Sequence, residues 1–328
     1  MSKSYRVAIV GASGAVGVEM LRVMERRNFP VSSLRLLASP RSAGKTLDFQ
    51  GKKHTVQPLH VDSFEDIDIA LFSAGGSISR DFATQAVKAG AVVVDNSSAF
   101  RMHAEVPLVV PEINGADVKN HKGIIANPNC TTAISLLALN PLHRAFGVKR
   151  IFASSYQAVS GAGARAITEL RQQTEAIAKG RAIEKEIFPH QIAFNVIPQV
   201  DAFLDTGYTK EEMKMQNEGR RIMHLPDFKA SVTCVRVPVY RAHSIAISAE
   251  FEKAVDLDAA RAALRSAPGL QFMDDGYPMP LDCAGKDDCF AGRLRMDCAL
   301  DNGLALWVCG DQLLKGAALN AIQIAELL

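Results

Sequence analysis

Hydrophobic positions in the first 130 residues fall in short runs, each followed by a Gly or Ser turn and then by a helical pattern. Strands are expected at residues 6–12, 34–38, 67–74, 91–95 and 123–126, with helices at 15–26 and 79–89. Val92, Val93 and Val94 form a continuous apolar run, the texture of a strand covered on both faces. Strand alternating with helix in this way specifies βαβ units. The first domain is therefore expected to be α/β, a Rossmann-type doubly wound parallel sheet.

The pattern changes from about residue 133. Ile167, Leu170 and Ile177 fall at helical spacing within residues 162–180, and Gly180 closes that segment. Further on, Ile245, Ile247, Ala249 and Phe251 alternate with Ser244, Ala246, Ser248 and Glu250, the period of a strand with one buried face and antiparallel neighbours. Asp256 is placed to cap a helix through residue 264, which Pro268-Gly269 ends, and residues 312–328 read as a final helix. The expected domains are 1–132 with the returning helix 312–328, and 133–311, the latter a C-terminal α/β domain with a mixed or antiparallel sheet.

A chain of 328 residues is long enough for two such cores without staples. Its net charge of +2 points to neither nucleic acid nor a polybasic membrane contact. No run of about 18 apolar residues occurs, so no membrane span is expected and a soluble, cytoplasmic protein is. The six cysteines include no C-x-x-C pair, and Asp282-Cys283 with Asp287-Asp288-Cys289 has irregular sulfur spacing and no nearby His. Reduced thiols and no metal site are expected.

Two segments carry chemistry. Gly11-Ala-Ser-Gly14-Ala-Val-Gly17 lies between a strand and a helix, the setting of a dinucleotide fingerprint with G-x-x-G-x-x-G spacing. Gly11 permits the tight turn, Gly14 the approach of a pyrophosphate, and Gly17 close packing of helix on strand. No acid ends the second strand to hold a ribose hydroxyl. Arg41 and Ser42 stand there and suit the 2′-phosphate of NADP, although a solvated turn arginine reads the same way. The second segment, Ala126-Asn-Pro-Asn-Cys-Thr-Thr132, sets Cys130 at a helix N-terminus behind Asn129, where the helix dipole favours thiolate over thiol.

These two segments, with Arg41-Ser42-Ala43-Gly44, Asn96-Ser-Ser-Ala-Phe-Arg101, Gln157-Ala-Val-Ser-Gly-Ala-Gly163, Glu211-Glu-Met-Lys214, Arg236-Val-Pro-Val239 through His243, and Lys315-Gly-Ala-Ala318, resemble the aspartate-β-semialdehyde dehydrogenase family over essentially the whole chain. The resemblance implies an NADP-dependent oxidoreductase that reduces L-aspartyl-4-phosphate to L-aspartate-4-semialdehyde with release of phosphate, in lysine, threonine, methionine and diaminopimelate biosynthesis. It implies that Cys130 carries an acyl thioester, that His243 is a general acid/base and that Gln157 positions the acyl group. Arg236 and Glu211, with Asn129, would meet the substrate, and Arg101 and Lys214 the phosphate. Gly11, Ser13, Gly14, Ala15, Val16, Arg41, Ser42, Ser160, Gly161 and Gln312 would meet the cofactor. A homodimer built on the second domain, or a tetramer, is implied as well. After Arg101 the family commonly continues Met-Asp, whereas here Met102-His103-Ala104 stands.

By position alone several of these residues have plainer readings. His243 is one of eight histidines, and Arg101 could be a rim arginine. Glu211 and Lys214, at i and i+3, could be a solvated charge pair. Arg236 shares a strand face with Cys234 and must find an anion, a carboxylate partner or water; a substrate carboxylate would suit its planar fork, and an internal salt bridge fits the spacing equally well. Two other functions compete: the sister N-acetyl-γ-glutamyl-phosphate reductase, and a non-catalytic paralogue, which the presence of Cys130, Gln157, Arg236 and His243 weighs against.

Overall fold

The structure, a computed structural model, describes residues 4–328. The chain opens with β1 (Tyr5–Val10), α1 (Ala15–Arg26), β2 (Val31–Ala38), β3 (Thr46–Phe49), β4 (Lys52–Pro58), β5 (Ile69–Phe72), α2 (Gly76–Lys88), β6 (Val92–Asp95), the single turn α3 (Pro111–Asn114) and β7 (Ile124–Ala126). It continues with α4 (Cys130–Phe146), β8 (Val148–Gln157), α5 (Ala164–Ala178), α6 (Lys210–Ile222), β9 (Lys229–Arg236), β10 (His243–Phe251), α7 (Leu257–Arg265), β11 (Leu270–Phe272), the short α8 (Pro280–Cys283), β12 (Cys289–Met296), β13 (Gly303–Gly310) and α9 (Leu319–Ala325). Two compact units result. One runs to Asn129 and takes back Ala317–Leu328; the other is Cys130–Gly316.

In the first unit seven strands lie in the order β3-β4-β2-β1-β5-β6-β7, all neighbours parallel except the β3–β4 pair. The valine run of β6 and all of β5 are buried or nearly so, as a sheet covered on both faces requires. Phe64 and Phe72 stack in this core with ring centroids 5.7 Å apart, each burial worth roughly 1.5–3 kcal/mol. Because β1 lies between β2 and β5, the chain leaves it toward one edge and later returns on its other side. Such a reversal leaves a crevice at the strands' C-terminal ends. Helix α9 packs on α1 and β6, and Arg27 holds Glu326 through two bonds of 2.7 Å.

The second unit holds a six-stranded mixed sheet, β11-β12-β13-β10-β8-β9. β10 runs antiparallel to both β13 and β8, while β9 is parallel to β8. The alternation read in residues 244–251 sends Ile245, Ile247, Ala249 and Phe251 inward. Helix α4, buried nearly all round, lies across β8, β10 and β13 and beside α6 and α7. At the start of α6 a capping box operates: Thr209 Oγ1 accepts the Glu212 N–H at 3.3 Å and Glu212 accepts the Thr209 N–H at 2.7 Å. This sets Glu211 in the first turn.

Two elements depart from the sequence reading. The β3–β4 hairpin, turning at Gln50-Gly51 with both φ positive, was not expected, because Lys52-Lys-His-Thr is polar and exposed at a sheet edge. The final helix does not begin at Gln312. Asp311 to Leu313 form a turn, Leu314–Ala318 a wide π-helical turn, and regular helix starts at Leu319. Among the described residues no helix is long and apolar enough to cross a membrane.

Candidate active site

Four strands of the second unit end in one row. Gln157 pairs with Arg236 across β8 and β9, Ser244 pairs with Tyr156, and His243 pairs with Gly310 across β10 and β13. Side chains alternate along a strand. Phe152 and Tyr156 of β8 therefore point out, and Gln157 points to the buried face with Arg236 and His243. Cys130 is the first residue of α4, partly exposed, and the helix end favours its thiolate.

A hydrogen-bonded chain links the row to α6. Ser155 Oγ donates to Gln157 Oε1 at 3.0 Å, Gln157 Nε2 donates to Glu211 Oε1 at 3.2 Å, and Lys214 Nζ binds Glu211 Oε2 at 2.7 Å and Asp201 at 3.4 Å. Glu211 and Lys214 do share a helix face, but Glu211 is buried, so this is not a solvated pair.

Arg236 donates to the Ala158 carbonyl at 2.7 Å, lies 5.9 Å from the Phe188 ring centroid and forms no ion pair within the described residues. Burial lowers its pKa, and the charges of Glu211 and Cys130 partly restore it. Of the two partners open to Arg236 on spacing, the internal salt bridge is absent from the described residues; a buried cation of this kind calls for an anion. His243 is fully buried, its Nδ1 accepting the Ala158 N–H at 3.0 Å while Nε2 has no partner. Desolvation first, and then Arg236, push its pKa down to about 3 against a raising effect of Glu211. Gly161 sits between the two: a Cβ there would lie 3.0 Å from Arg236 Nη1 and 3.3 Å from His243 Nε2.

The segment before His243 is strained and held. Ala242 has φ +72°, a left-handed conformation costly for a residue with a Cβ. Its N–H donates to Gln312 Oε1 at 2.8 Å, and Gln312 Nε2 donates to Ser160 Oγ. Both ends of the Gln312 amide are thus engaged inside this unit, one of them with Ser160, which the resemblance also assigns to the cofactor. Arg241 Nε meets the fully buried Asp311 at 2.5 Å, and the same carboxylate accepts the N–H groups of Gly285 and Leu313 at 2.6 and 2.9 Å. Gly316 lies in the π-helical turn, where a Cβ would meet Cys130 Cβ at 2.6 Å. Arg241, Asp311 and Gly316 were not singled out from sequence. A glycine inside a helical pattern was the signal for the last.

In the first unit the glycine loop occupies the crevice beside β1 and β5. Gly11 has φ +87°, and a Cβ on it would meet the Ser73 carbonyl at 2.3 Å; one on Gly17 would meet the Gly11 carbonyl at 2.4 Å. Gly14 is the N-cap of α1 and offers no side-chain cap, so Ala15 and Val16 begin a helix whose amide end is suited to an anion. Arg41 and Ser42 form a short exposed turn just beyond β2, and Arg41 is exposed. Arg101 is buried, its Nε donating to the Asn127 carbonyl at 2.8 Å and Nη2 to the Asn96 carbonyl at 3.0 Å. Asn127 in turn donates to Asn96 Oδ1 at 2.5 Å and accepts from Asn320 at 2.7 Å. Asn129 is buried at the end of this unit. Among the described residues no cluster of three or more His, Cys, Asp or Glu could hold a metal, and all six cysteines are free thiols.

Comparison with known proteins agrees with this layout. Residues 6–121 match the family model described as semialdehyde dehydrogenase, NAD binding domain, and residues 139–315 the one described as semialdehyde dehydrogenase, dimerisation domain. The chain is 54% identical to the aspartate-semialdehyde dehydrogenase of Aquifex aeolicus, with 99% of this chain and 98% of the relative covered. It is 51% identical to that of Bacillus subtilis, with 100% and 98% covered. Among solved structures, aspartate semialdehyde dehydrogenase II of Vibrio cholerae complexed with ASA has a TM-score of 0.96 at 46% identity, covering 100% of this chain and 98% of that one. The Candida albicans aspartate semialdehyde dehydrogenase with NADP has a TM-score of 0.78 at 25% identity, covering 99% and 98%.

Proposed function

Because the chain belongs to the aspartate-semialdehyde dehydrogenase family, we propose that it interconverts L-aspartyl-4-phosphate and L-aspartate-4-semialdehyde, using inorganic phosphate and a nicotinamide cofactor. The observation that carries this reading is the strand-end row itself. A buried arginine without an ion pair and a buried imidazole nitrogen without a partner converge on Gly161, in the unit that also presents a thiol at a helix N-terminus. Full-length identities of 51–54% to aspartate-semialdehyde dehydrogenases disfavour the N-acetyl-γ-glutamyl sister enzyme, and retention of Cys130, Gln157, Arg236 and His243 disfavours a non-catalytic paralogue.

In the oxidative direction the Cys130 thiolate attacks the aldehyde carbon, and a C–S bond forms as the carbonyl pair moves to oxygen. Loss of the aldehyde hydrogen with its electron pair leaves a thioester. A phosphate oxygen then attacks the thioester carbon, the C–S bond breaks, and the acyl phosphate departs from a regenerated thiolate. When bound, the cofactor accepts the hydride in this direction and donates it in the biosynthetic one. Gln157, fixed by Ser155 and Glu211, orients the acyl group, Arg236 pairs with the substrate carboxylate, and Glu211 faces its ammonium. Arg101, Lys214 and Asn129 complete the proposed binding of phosphate and substrate.

The glycine loop suits a dinucleotide, since Gly14 leaves the end of α1 uncapped for the pyrophosphate while Gly11 and Gly17 let the turn and helix pack closely, and Ser13 lies in the same loop. We assign NADP rather than NAD from Arg41 and Ser42 and from the lack of an acid at the end of β2. Ser160 and Gly161 are assigned to the cofactor's reactive end. For the dimer, the outward sheet face is the contact we favour, where Phe152 and Tyr156 are 46% and 39% exposed and Tyr156 tilts on Trp307 at 5.4 Å.

The test is absorbance at the reduced-nicotinamide band with L-aspartate-4-semialdehyde, phosphate and NADP, run in parallel with NAD and with N-acetylglutamate semialdehyde. Phosphate-dependent reduction that prefers the aspartyl substrate is expected. Turnover of only the acetylated substrate would reassign the enzyme, and cofactor binding without turnover of either would make it non-catalytic. Arg41→Ala should weaken NADP more than NAD; equal losses would remove its role at the 2′-phosphate.

A further inference from the structure

The irregular connection between α5 and α6 is fastened at two points. Glu169 and Gln173 lie one turn apart on α5, both buried, and both bind the backbone of this segment. Glu169 Oε2 accepts the N–H groups of Glu186 and Ile187 at 3.2 and 2.6 Å, and Oε1 accepts Gln173 Nε2 at 3.1 Å. Gln173 Oε1 accepts the N–H groups of Ile192 and Ala193 at 2.9 and 3.1 Å, while its Nε2 also donates to the Glu184 carbonyl at 2.8 Å. Two side chains thus serve backbone groups that have no helix or strand to pair them. The far end is fixed by β9, where the Ile197 N–H donates to the Arg236 carbonyl at 2.9 Å and the Arg236 N–H to the Ile197 carbonyl at 2.8 Å. Between these points Phe188 and Ile192 pack with Val159, Ala166 and Leu170, and the Arg236 guanidinium lies over the Phe188 ring, 5.9 Å from its centroid.

Resting on the pairing of Arg236 with the substrate carboxylate proposed above, we infer that Phe188 sets the selectivity for an aldehyde that carries this carboxylate, by holding the guanidinium in one orientation, and that Glu169 and Gln173 act through Phe188 as positioning residues. A long arginine side chain tethered only at the Ala158 carbonyl could swing about that bond. An aromatic face restrains the cation without consuming any of its N–H groups, so the donors not engaged at Ala158 stay aimed at a planar partner. A fork fixed beforehand binds more tightly than one that must be ordered on binding. The substrate carboxylate is unchanged through the reaction, so this contact is equal in ground and transition states, and its loss falls on KM rather than kcat.

The probe is 3-aminopropanal, which keeps the aldehyde and ammonium of L-aspartate-4-semialdehyde and lacks only the carboxylate. The quantity read is the ratio of kcat/KM for the two aldehydes at fixed cofactor and phosphate. Phe188→Leu keeps an apolar side chain in the cluster and removes the ring face. It should lower the ratio by about five- to tenfold, through a raised KM for L-aspartate-4-semialdehyde at nearly constant kcat, while Phe188→Tyr should hold the ratio within about twofold. An unchanged ratio in Phe188→Leu, equal losses with both aldehydes, or a Phe188→Tyr enzyme that falls as far as Phe188→Leu would overturn the role of the ring. Glu169→Ala should lower the same ratio, and the double variant should be no worse than Phe188→Leu alone; additive losses would mean that α5 does not act through the ring. Should Glu169→Ala fail to fold, amide hydrogen exchange in the wild-type chain still decides whether the segment is held. Slow exchange at Ile187, Ile192 and Ala193 is expected, and exchange as fast as in an open loop would refute the fastening. If the wild type oxidises both aldehydes equally, Arg236 does not read the carboxylate and the inference falls. If it oxidises neither, the proposed reaction is refuted, while hydrogen exchange still judges the fastening of the segment.

Discussion

Gly316→Ala isolates how tightly the nucleophile is placed. Gly316 is not in the left-handed region, so adding a methyl strains no backbone angle, and the effect is contact alone. The new Cβ would lie 2.6 Å from Cys130 Cβ, 3.0 Å from its Cα and 3.3 Å from Gln312 Cβ. Carbon atoms rest comfortably at about 3.5–4.0 Å, so roughly 1 Å must open. Helix α4 cannot slide to provide it, because it is packed on β8, β10 and β13. The shift therefore falls on Cys130 and the turn carrying Gln312. Overpacking of this kind costs about 1–3 kcal/mol of stability, and misplacing a reacting atom by 1 Å costs about 10² in rate. Urea unfolding, kcat and the rate of thiol alkylation by iodoacetamide read these effects, with cofactor affinity as the control expected to stay constant. Wild-type kcat and alkylation in a folded Gly316→Ala protein would show that the π-helical turn does not locate the thiol.

Gly161→Ala should reduce kcat/KM by at least tenfold with less than about 1 kcal/mol of lost stability, since its Cβ enters the approach to both Arg236 and His243; unchanged kcat/KM would exclude that approach as the substrate's. Gln312→Ala removes the acceptor of the strained Ala242 and should cost about 1–3 kcal/mol, with a fall in kcat at constant cofactor KM, whereas a selective rise in the NADP KM would restore Gln312 to the cofactor. His243 gives a stability slope with pH. Its folded pKa of about 3 lies below the ordinary 6.5, so between these values the unfolded chain binds the extra proton and stability falls as pH falls. The slope is at most about 1.4 kcal/mol per pH unit, or about 2 kcal/mol from pH 6.5 to 5. Urea midpoints for wild type and His243→Gln should converge over that interval, and parallel curves would contradict the depressed pKa.

The legibility of the fold followed burial. Residues 15–26 were readable as a helix to the residue, and the valine run of β6 as a central strand, because deep burial imposes one period on each. The hairpin β3–β4 escaped because an edge strand with a solvated face has no apolar signature. Site residues were legible where local chemistry was unusual: glycines at a strand-to-helix turn, a thiol after Asn-Pro-Asn, and an arginine on the buried face of a strand. Asp311 and Arg241 were not, because an acid after one strand and a base before another become partners only once β10 and β13 are in register. For Gln312 the sequence resemblance pointed to the cofactor. The register brings its amide to Ala242 and Ser160, a placement visible only in the folded chain.

That register also explains why strain is tolerated beside His243. Gln157, Arg236 and His243 reach the buried face only because each strand ends on the same side-chain phase, and a slip of one residue in β10 would turn His243 outward. Eight continuous pairs with β13 and the long pairing with β8 make that slip costly. The sheet can therefore hold Ala242 at φ +72° while Gln312 and the buried Asp311 clamp the residues on either side of its peptide. Ala158, just beyond β8, accepts from Arg236 on its carbonyl and donates its N–H to His243 Nδ1, so one backbone residue fixes both side chains.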